Sequence, residues 1–168
     1  MLDHFKQILI AQFEAALAML NQCIEACTPE HWEGKIANGT FRWNAYHALF
    51  FADLYLSPSN EAFDLRDFNQ RGGDERGPDA CIGLPKDDML AYIPLVRQKM
   101  LDTIAAETEE SLAGPSGFSW YSVTRAEIHL VNIRHVQHHA AQLSAFLRRV
   151  DERFKDRGTL RWIRTGWR

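Results

Sequence analysis

The sequence is poor in cysteine, with three residues in a chain of 168, and their spacing forms no disulfide framework. Cys23 and Cys27 are four residues apart, which matches neither a CxxC redox motif nor a zinc knuckle. On one helix their side chains could approach each other, but two small core hydrophobes explain them equally simply. Cys81 lies in a segment rich in glycine and proline and is a candidate free thiol. An odd count of this kind fits a reducing compartment.

An excess of charge of one sign is also missing, because 19 Lys and Arg residues face 22 Asp and Glu residues, for a net charge of −3. We find no run of roughly 20 uncharged apolar residues, the length that spans a bilayer, and expect no membrane insertion. Asp3, Lys6 and Glu14 interrupt the apolar pattern of the N-terminus, which therefore does not resemble a signal peptide. We expect one domain, residues 1–168, with a cytoplasmic location.

The hydrophobic pattern predicts long helices and no convincing strand. Apolar residues recur at helical spacing in four segments, 2–27, 41–57, 86–110 and 124–149. Thr124 and Glu127 have the spacing of a capping box, which fixes the start of the last helix. Pro94 predicts a kink or a boundary in the third helix, near Tyr92 and Ile93. Four long helices indicate an all-α fold, a four-helix bundle.

Two segments depart from this pattern. Residues 58–85 are punctuated by glycine and proline, with one short helix possible near 60–68. A loop of this length inside a compact domain could cover a cleft. A basic tail begins at about residue 150 and contains Trp162 and Trp167. Such tails can bind nucleic acid, but this one is short and the rest of the chain is acidic, so we expect no nucleic-acid partner.

Histidine is concentrated on the last long helix, where three of the seven histidines fall within five positions. His135 and His139 are four apart, so they point the same way and can ligate one ion. His138 points about 100° away from His139. The stripe that carries the pair is apolar at both ends and predicts that the pair faces the protein interior. Buried imidazoles need partners, either a metal ion or ordinary hydrogen bonds within the core, and the ligand spacing favours the metal.

The second helix supplies another buried histidine position. His47 shares a face with Trp43, Phe50 and Phe51. If the two helices pack side by side, His47, His135 and His139 form a three-imidazole site that leaves one position open, as catalytic zinc sites do. We expect a divalent ion there, zinc or nickel, with iron as the alternative.

Other metal chemistries are excluded because the sequence lacks the motifs that they require. A di-iron bundle needs Glu-x-x-His on two helices, and the chain contains no such motif. An HExxH metalloprotease places a glutamate inside the histidine pair, where this chain has Val136, Gln137 and His138. No carboxylate base is therefore built into the pair.

The runs WNAYHALFFADLYL and EIHLVNIRHVQHHAAQL together resemble the DinB/YfiT-like superfamily of metal-dependent enzymes. The resemblance covers most of the chain and implies a four-helix bundle in an up-down-down-up arrangement, often dimeric. It also implies that the family's metal triad falls on His47, His135 and His139. Some relatives are transferases that use bacillithiol, mycothiol or glutathione, and others resemble maleylpyruvate isomerase.

The leading functional hypothesis is a metal-dependent enzyme, a transferase for a small-molecule thiol or a hydrolase. Metal coordination lowers the pKa of a thiol and yields the thiolate at neutral pH. Candidates for the wall of the site are Trp43, Asn44, Tyr46, His138 and Gln142. Two alternatives stay open: a non-catalytic, stress-associated bundle that binds a metal or ligand, and a scaffold whose histidines are core residues.

Aromatic residues are more numerous than the seam of one bundle can bury, with ten Phe, five Trp and four Tyr. The second helix carries them on more than one face, and the tail adds two tryptophans. Exposed apolar patches mark interfaces, and a twofold dimer is the commonest closed assembly. We therefore expect a homodimer. The alternative is that the loop and tail fold back over their own bundle and cover these residues.

Overall fold

A computed structural model describes residues 1–36, 39–66, 84–155 and 160–167. In chain order the elements are α1 (Leu2–Ala26), α2 (Pro29–Trp32), β1 (Lys35–Ile36), β2 (Gly39–Thr40), α3 (Phe41–Leu56), α4 (Lys86–Ala106), α5 (Glu109–Ala113), α6 (Arg125–Val150) and a 3-10 turn at Glu152–Phe154. The four long helices confirm the all-α prediction. The antiparallel hairpin of β1 and β2 was not predicted, because strands of two residues carry no alternating pattern.

The four long helices form a ring of neighbours. Helix α6 packs against α1 and α3, and α4 packs against the same two helices on the other side. Apolar side chains from all four form one core, with Phe13, Tyr46, Tyr92 and Ile128 fully buried. Thirteen of the 16 residues of α3 are buried, so this helix is covered on most of its circumference within a single chain. The four-helix bundle places α3 beside α6, as the histidine site requires.

Side-chain caps define where the helices of the site begin. The Thr124 hydroxyl accepts a hydrogen bond from the Glu127 backbone N–H, and the Glu127 carboxylate accepts one of 2.9 Å from the Thr124 N–H. The predicted capping box is therefore confirmed. At the start of α3 the Thr40 hydroxyl accepts a hydrogen bond of 3.1 Å from the Trp43 N–H. Both caps satisfy donors that the first turn of a helix leaves unpaired.

Helix α4 departs from its predicted bounds in two ways. A kink or a boundary was predicted near Tyr92 and Ile93; the helix is continuous through Pro94, so the boundary is wrong. Pro94 is exposed, and an α-helix can keep such a proline on its solvent side at the loss of one backbone hydrogen bond. The helix also ends at Ala106 rather than at residue 110. Glu107 turns into extended backbone, and Thr108 opens the short helix α5 with a capping box of its own.

The segment after α3 contains no helix as far as the structure describes it. Residues 57–62 form bends and a turn, and residues 63–66 are irregular, so the described part of the short helix proposed for 60–68 is absent. Residues 67–83, which include Cys81, lie outside the described residues.

The C-terminal segment, residues 160–167, folds back onto α1. The Gly166 N–H donates to the Ala11 carbonyl at 2.8 Å, the Arg161 N–H donates to the Gln22 side chain at 3.0 Å, and the Gln12 amide donates to the Arg164 carbonyl at 3.2 Å. This segment therefore docks on its own bundle. Trp162 nevertheless remains 71% exposed.

By length and hydropathy alone, α1 could cross a membrane, although we predicted no membrane-spanning segment from the sequence. An 18-residue stretch of the helix reaches a mean hydropathy of 1.2. Half of that stretch is buried in the bundle, where α1 packs against α4 and α6. Core helices of soluble proteins pass the same test, and the contacts of α1 are those of a core helix.

Candidate metal site

The side chains of His47 on α3 and of His135 and His139 on α6 meet between these two helices. The Nε2 atom of His47 lies 3.0 Å from the Nε2 atom of His135. The His139 ring lies 4.7 Å from the His47 ring and 4.6 Å from the His135 ring, measured between centroids. One ring nitrogen from each residue lies within 4.8 Å of the others. The structure thus brings together the three histidines singled out from the sequence.

Aromatic side chains of α3 surround the His47 ring. Trp43 and Phe51 lie one helical turn before and after it, with ring centroids 4.9 Å and 4.8 Å away. Phe51 also contacts the ring of His135 at 5.7 Å, and Tyr55 lies 6.5 Å from that ring. We call Trp43, Phe51 and Tyr55 the aromatic collar. The rings of the collar pack against the imidazoles of His47 and His135 and restrict their orientation.

Burial keeps the imidazoles of α6 neutral. It is the largest cause that lowers the pKa of His135 to about 2, and the neighbouring histidines lower this pKa further. Burial likewise lowers the pKa of His139 to about 4, and the charges of His47 and His138 act in the same direction. A histidine binds a metal through a neutral imidazole. Near neutral pH both residues are therefore in the protonation state that metal binding requires.

The nitrogen atoms of the site do not form a closed hydrogen-bond network. The Nδ1 atoms of His135 and His139 are buried and have no hydrogen-bond partner among the described residues. A neutral imidazole has one donor and one acceptor, so the 3.0 Å contact between the Nε2 atoms of His47 and His135 can hold only one hydrogen. Two ligand nitrogens on a tetrahedral zinc ion lie about 3.3 Å apart, given bonds of about 2.0–2.1 Å. The separation of His47 and His135 is close to that value, and the three nitrogens together lie within 4.8 Å of one another.

Among the residues that the structure describes, no carboxylate or thiol joins the three imidazoles. In the part of the chain that the structure describes, these histidines are the one cluster with metal-ligand spacing. Cys23 and Cys27 are buried, and burial raises the pKa of each thiol to about 12. They are small core residues and weak ligands at neutral pH. Three protein ligands leave at least one coordination position for water or a ligand.

The other candidates for the wall of the site have different roles. Trp43 belongs to the aromatic collar, and His138 is exposed with its ring 5.1 Å from that of His139. Asn44 donates a hydrogen bond of 2.9 Å to the Thr40 carbonyl and so closes the first turn of its own helix. Tyr46 is fully buried, with its ring 5.8 Å from that of Phe50. Gln142 is partly buried one turn beyond His139.

An apolar cavity of about 560 Å³ lies beside the collar and includes two of its members, Phe51 and Tyr55. Its other lining residues are Phe50, Leu54, Asn60, Phe63, Leu65 and Trp120. Cavities of this size and composition are typical of small-molecule sites. The sequence pattern showed the aromatics of α3 but could not place Phe63 and Trp120, which come from separate loops.

A buried ionic network that no local sequence pattern predicts holds the end of α3 against α6. His129 is fully buried, and its Nε2 lies 2.8 Å from Glu107 Oε1. Arg125 Nε donates to the same oxygen at 2.9 Å. The Arg125 guanidinium also donates to the carbonyls of three residues at the end of α3, Tyr55, Leu56 and Ser57. Arg125 therefore caps α3 and fixes the position of its C-terminal end relative to α6.

A second buried network ties the same end of α3 to α4. Asp53 is 1% exposed, and its carboxylate accepts hydrogen bonds from Tyr92 at 2.8 Å, Lys99 at 2.7 Å and Arg66 at 2.8 Å. A buried carboxylate is tolerated when its oxygens are paired in this way. Together the two networks make α3 a rigid support for His47.

A family model described as the DinB superfamily matches residues 12–143 of the chain. The match includes all three histidines, the aromatic collar and the whole of α3 and α4. No curated protein and no solved structure matches the chain.

Proposed function

The chain belongs to the DinB superfamily, and on that premise we propose that it is a metal-dependent enzyme. We assign His47, His135 and His139 as the ligands of one divalent ion. The observation that carries this proposal is the convergence of three imidazoles, one ring nitrogen of each within 4.8 Å of the others, with no fourth ligand side chain grouped with them among the described residues. Imidazole ligands suit zinc and nickel, and iron is the alternative.

We further propose that the enzyme transfers a small-molecule thiol to an electrophile. A divalent ion at this site would lower the pKa of a coordinated thiol and so supply the thiolate at neutral pH. The three histidines are neutral ligands, so they leave the charge of the ion uncompensated. The aromatic collar packs against His47 and His135 and places apolar surface on the α3 side of the site.

The apolar cavity beside the collar is the place we assign to the electrophile. It shares Phe51 and Tyr55 with the collar, so an apolar acceptor bound there lies next to the histidine site. In the proposed transfer a sulfur–carbon bond forms while the bond from carbon to the leaving group breaks. The thiol proton passes to solvent, and the leaving group departs as an anion with the electron pair.

A conjugation assay tests this function. Zinc-loaded and nickel-loaded protein is incubated with a small thiol and an apolar alkylating electrophile, and the thioether product is measured by mass spectrometry. We expect product formation above the uncatalysed rate, lost in His139→Gln and retained in His4→Gln. The matched variant removes an exposed histidine of α1 that lines neither the triad nor the cavities beside it. Equal rates in the wild-type protein and in His139→Gln would overturn the proposed reaction.

A second candidate function is non-catalytic binding of a metal or ligand. The observation that favours it is the absence, among the described residues, of a carboxylate grouped with the triad that could act as a general base. A protein that binds one ion through the triad but conjugates no thiol in a broad panel of electrophiles would support this alternative.

A further inference from the structure

A second cleft, of about 870 Å³, reaches the histidine site from the side of α1. His135 forms part of its wall, and the same imidazole lies 3.0 Å from His47. The exposed His138, whose ring lies 5.1 Å from that of His139, is another lining residue. A molecule bound in this cleft therefore lies next to a proposed metal ligand.

The cleft is positively charged. Arg134 of α6 and Arg164 of the C-terminal segment both line it, and none of the described residues that line it is acidic. Neither guanidinium forms an ion pair with any other residue that the structure describes, in contrast to Arg66, Arg97 and Arg125, each of which pairs with a carboxylate. Arg134 and Arg164 thus keep their donors for a ligand or for water.

The wall that carries Arg164 is anchored to the bundle at several points. Gln12 donates to the Arg164 carbonyl at 3.2 Å, and the Gly166 N–H donates to the Ala11 carbonyl at 2.8 Å. Arg148 donates to the Leu160 carbonyl at 2.6 Å, and the Arg97 guanidinium lies 5.3 Å from the Trp167 ring. These contacts hold the backbone of residue 164 in place while its side chain remains exposed. The C-terminal segment is therefore one side of a formed cleft.

We propose that this cleft binds a carboxylate group of the substrate through Arg134 and Arg164, which makes the substrate an anionic thiol. The inference rests on the proposed function and specifies its substrate class. A guanidinium matches a carboxylate in shape and charge and donates two parallel hydrogen bonds to it. With the carboxylate held at the two arginines, the rest of the molecule extends towards His135. Arg134 and Arg164 then determine specificity, and the histidines hold the reacting group.

Binding measurements with three titrants separate the carboxylate site at Arg134 and Arg164 from the binding of the thiol by the metal. Succinate carries carboxylates and no thiol, monothioglycerol carries a thiol and no charge, and mercaptosuccinate carries both. Each is titrated calorimetrically into the wild-type protein and the double variant Arg134→Gln, Arg164→Gln, with and without zinc, at mildly alkaline pH where free imidazoles are neutral. The matched control is Arg161→Gln, which removes the same charge from the same segment but does not line this cleft.

In metal-free protein we expect the double variant to bind succinate at least about tenfold more weakly than the wild-type protein, because two charge-assisted contacts are lost. Arg161→Gln should bind succinate as the wild-type protein does. Monothioglycerol should bind zinc-loaded wild-type and double-variant protein equally. Mercaptosuccinate should bind most tightly of the three, and its affinity should depend on both arginines.

Two results would overturn the assignment of the cleft: equal succinate affinity in the wild-type protein and the double variant, or an equal loss in Arg161→Gln. Failure of the proposed function gives a different signature. In that case zinc would not increase the affinity for mercaptosuccinate or monothioglycerol, while binding of succinate to metal-free protein would still depend on Arg134 and Arg164.

Discussion

The buried imidazoles of α6 make the stability of the metal-free protein depend on pH. The pKa of His139 is about 4 in the folded protein, against an ordinary value of 6.5. Between these two values the unfolded chain binds more protons than the folded one, so the free energy of unfolding falls as the pH is lowered. Above about pH 6.5 this contribution is constant, and below about pH 4 the loss levels off.

Chemical denaturation of metal-free protein across this pH range tests the effect. We expect the wild-type protein to lose stability on acidification more steeply than His139→Gln, which cannot take up the proton. The comparison cancels the titration of groups away from the site. Removing the charge of His139 also makes the pKa of His135 less depressed, which flattens the profile of the variant further. Parallel curves for the two proteins would contradict the burial of a neutral His139.

Glu107 is the residue on which the network at the end of α3 depends. Burial opposes its ionisation, but hydrogen bonds from Ser111, His129 and Arg125 outweigh that effect and lower the pKa of the carboxyl group. Glu107→Gln keeps the shape of the side chain and removes the charge that Arg125 faces. We expect a loss of about 2–4 kcal/mol in the free energy of unfolding.

Urea denaturation measures that loss. Glu109→Gln is the matched control, because Glu109 is exposed in the first turn of α5, and its effect should stay within about 0.5 kcal/mol. A loss of the same small size for Glu107→Gln would show that the network contributes little to the position of α3.

At the scale of single elements, the capping box of α6 determines where the histidine helix begins. Thr124→Ala removes the acceptor for the Glu127 N–H, and we expect a loss of about 1 kcal/mol in the free energy of unfolding. The matched control is Ser122→Ala, an exposed position just before the helix. Equal stability of the two variants in urea denaturation would contradict the role of this cap.

The sequence predicted the long helices well because their signals are local. Each carries an apolar stripe at helical spacing, and Thr124 with Glu127 located the start of α6 within one residue. The sequence signals for breaks within helices and for helix ends were weaker. Pro94 suggested a boundary in α4, but an exposed proline removes only one hydrogen bond from an otherwise well-packed helix. The end of α4 at Ala106 depends on the pairing of Glu107 with Arg125, a contact across 18 residues that no local pattern reveals.

The candidate site could be predicted for a similar reason. His135 and His139 are paired by helical geometry alone, and His47 needed only the expectation that α3 and α6 are neighbours. The cleft of Arg134 and Arg164 could not be predicted, because it depends on the path of the C-terminal segment along α1. That path is set by backbone hydrogen bonds such as the one from Gly166 to Ala11, and a backbone hydrogen bond leaves no pattern of side chains in the sequence.

At the scale of the whole molecule, we propose that the protein is a homodimer. The aromatic residues of α3 were one reason to expect a dimer, but most of them are buried within one chain and do not require a partner. Other large apolar side chains remain on the surface, among them Trp162, which is 71% exposed, and Trp120, which is 50% exposed. Exposed tryptophans are typical of interfaces between subunits.

Sedimentation over a micromolar concentration series tests the assembly. We expect the mass of two chains in the wild-type protein and weaker association in Trp162→Ser or Trp120→Ser, whichever residue lies in the contact. A mass of one chain at every concentration would contradict the dimer.

We propose that His47, His135 and His139 bind one metal ion, and the metal content of the purified protein tests this claim. Protein purified without a nickel column is loaded with zinc, freed of excess ion and analysed for its elements. We predict about one ion per chain in the wild-type protein and in His138→Gln, and roughly a tenth of that or less in His47→Gln and His139→Gln. Equal metal content in all four proteins, or none in the wild-type protein, would contradict the claim.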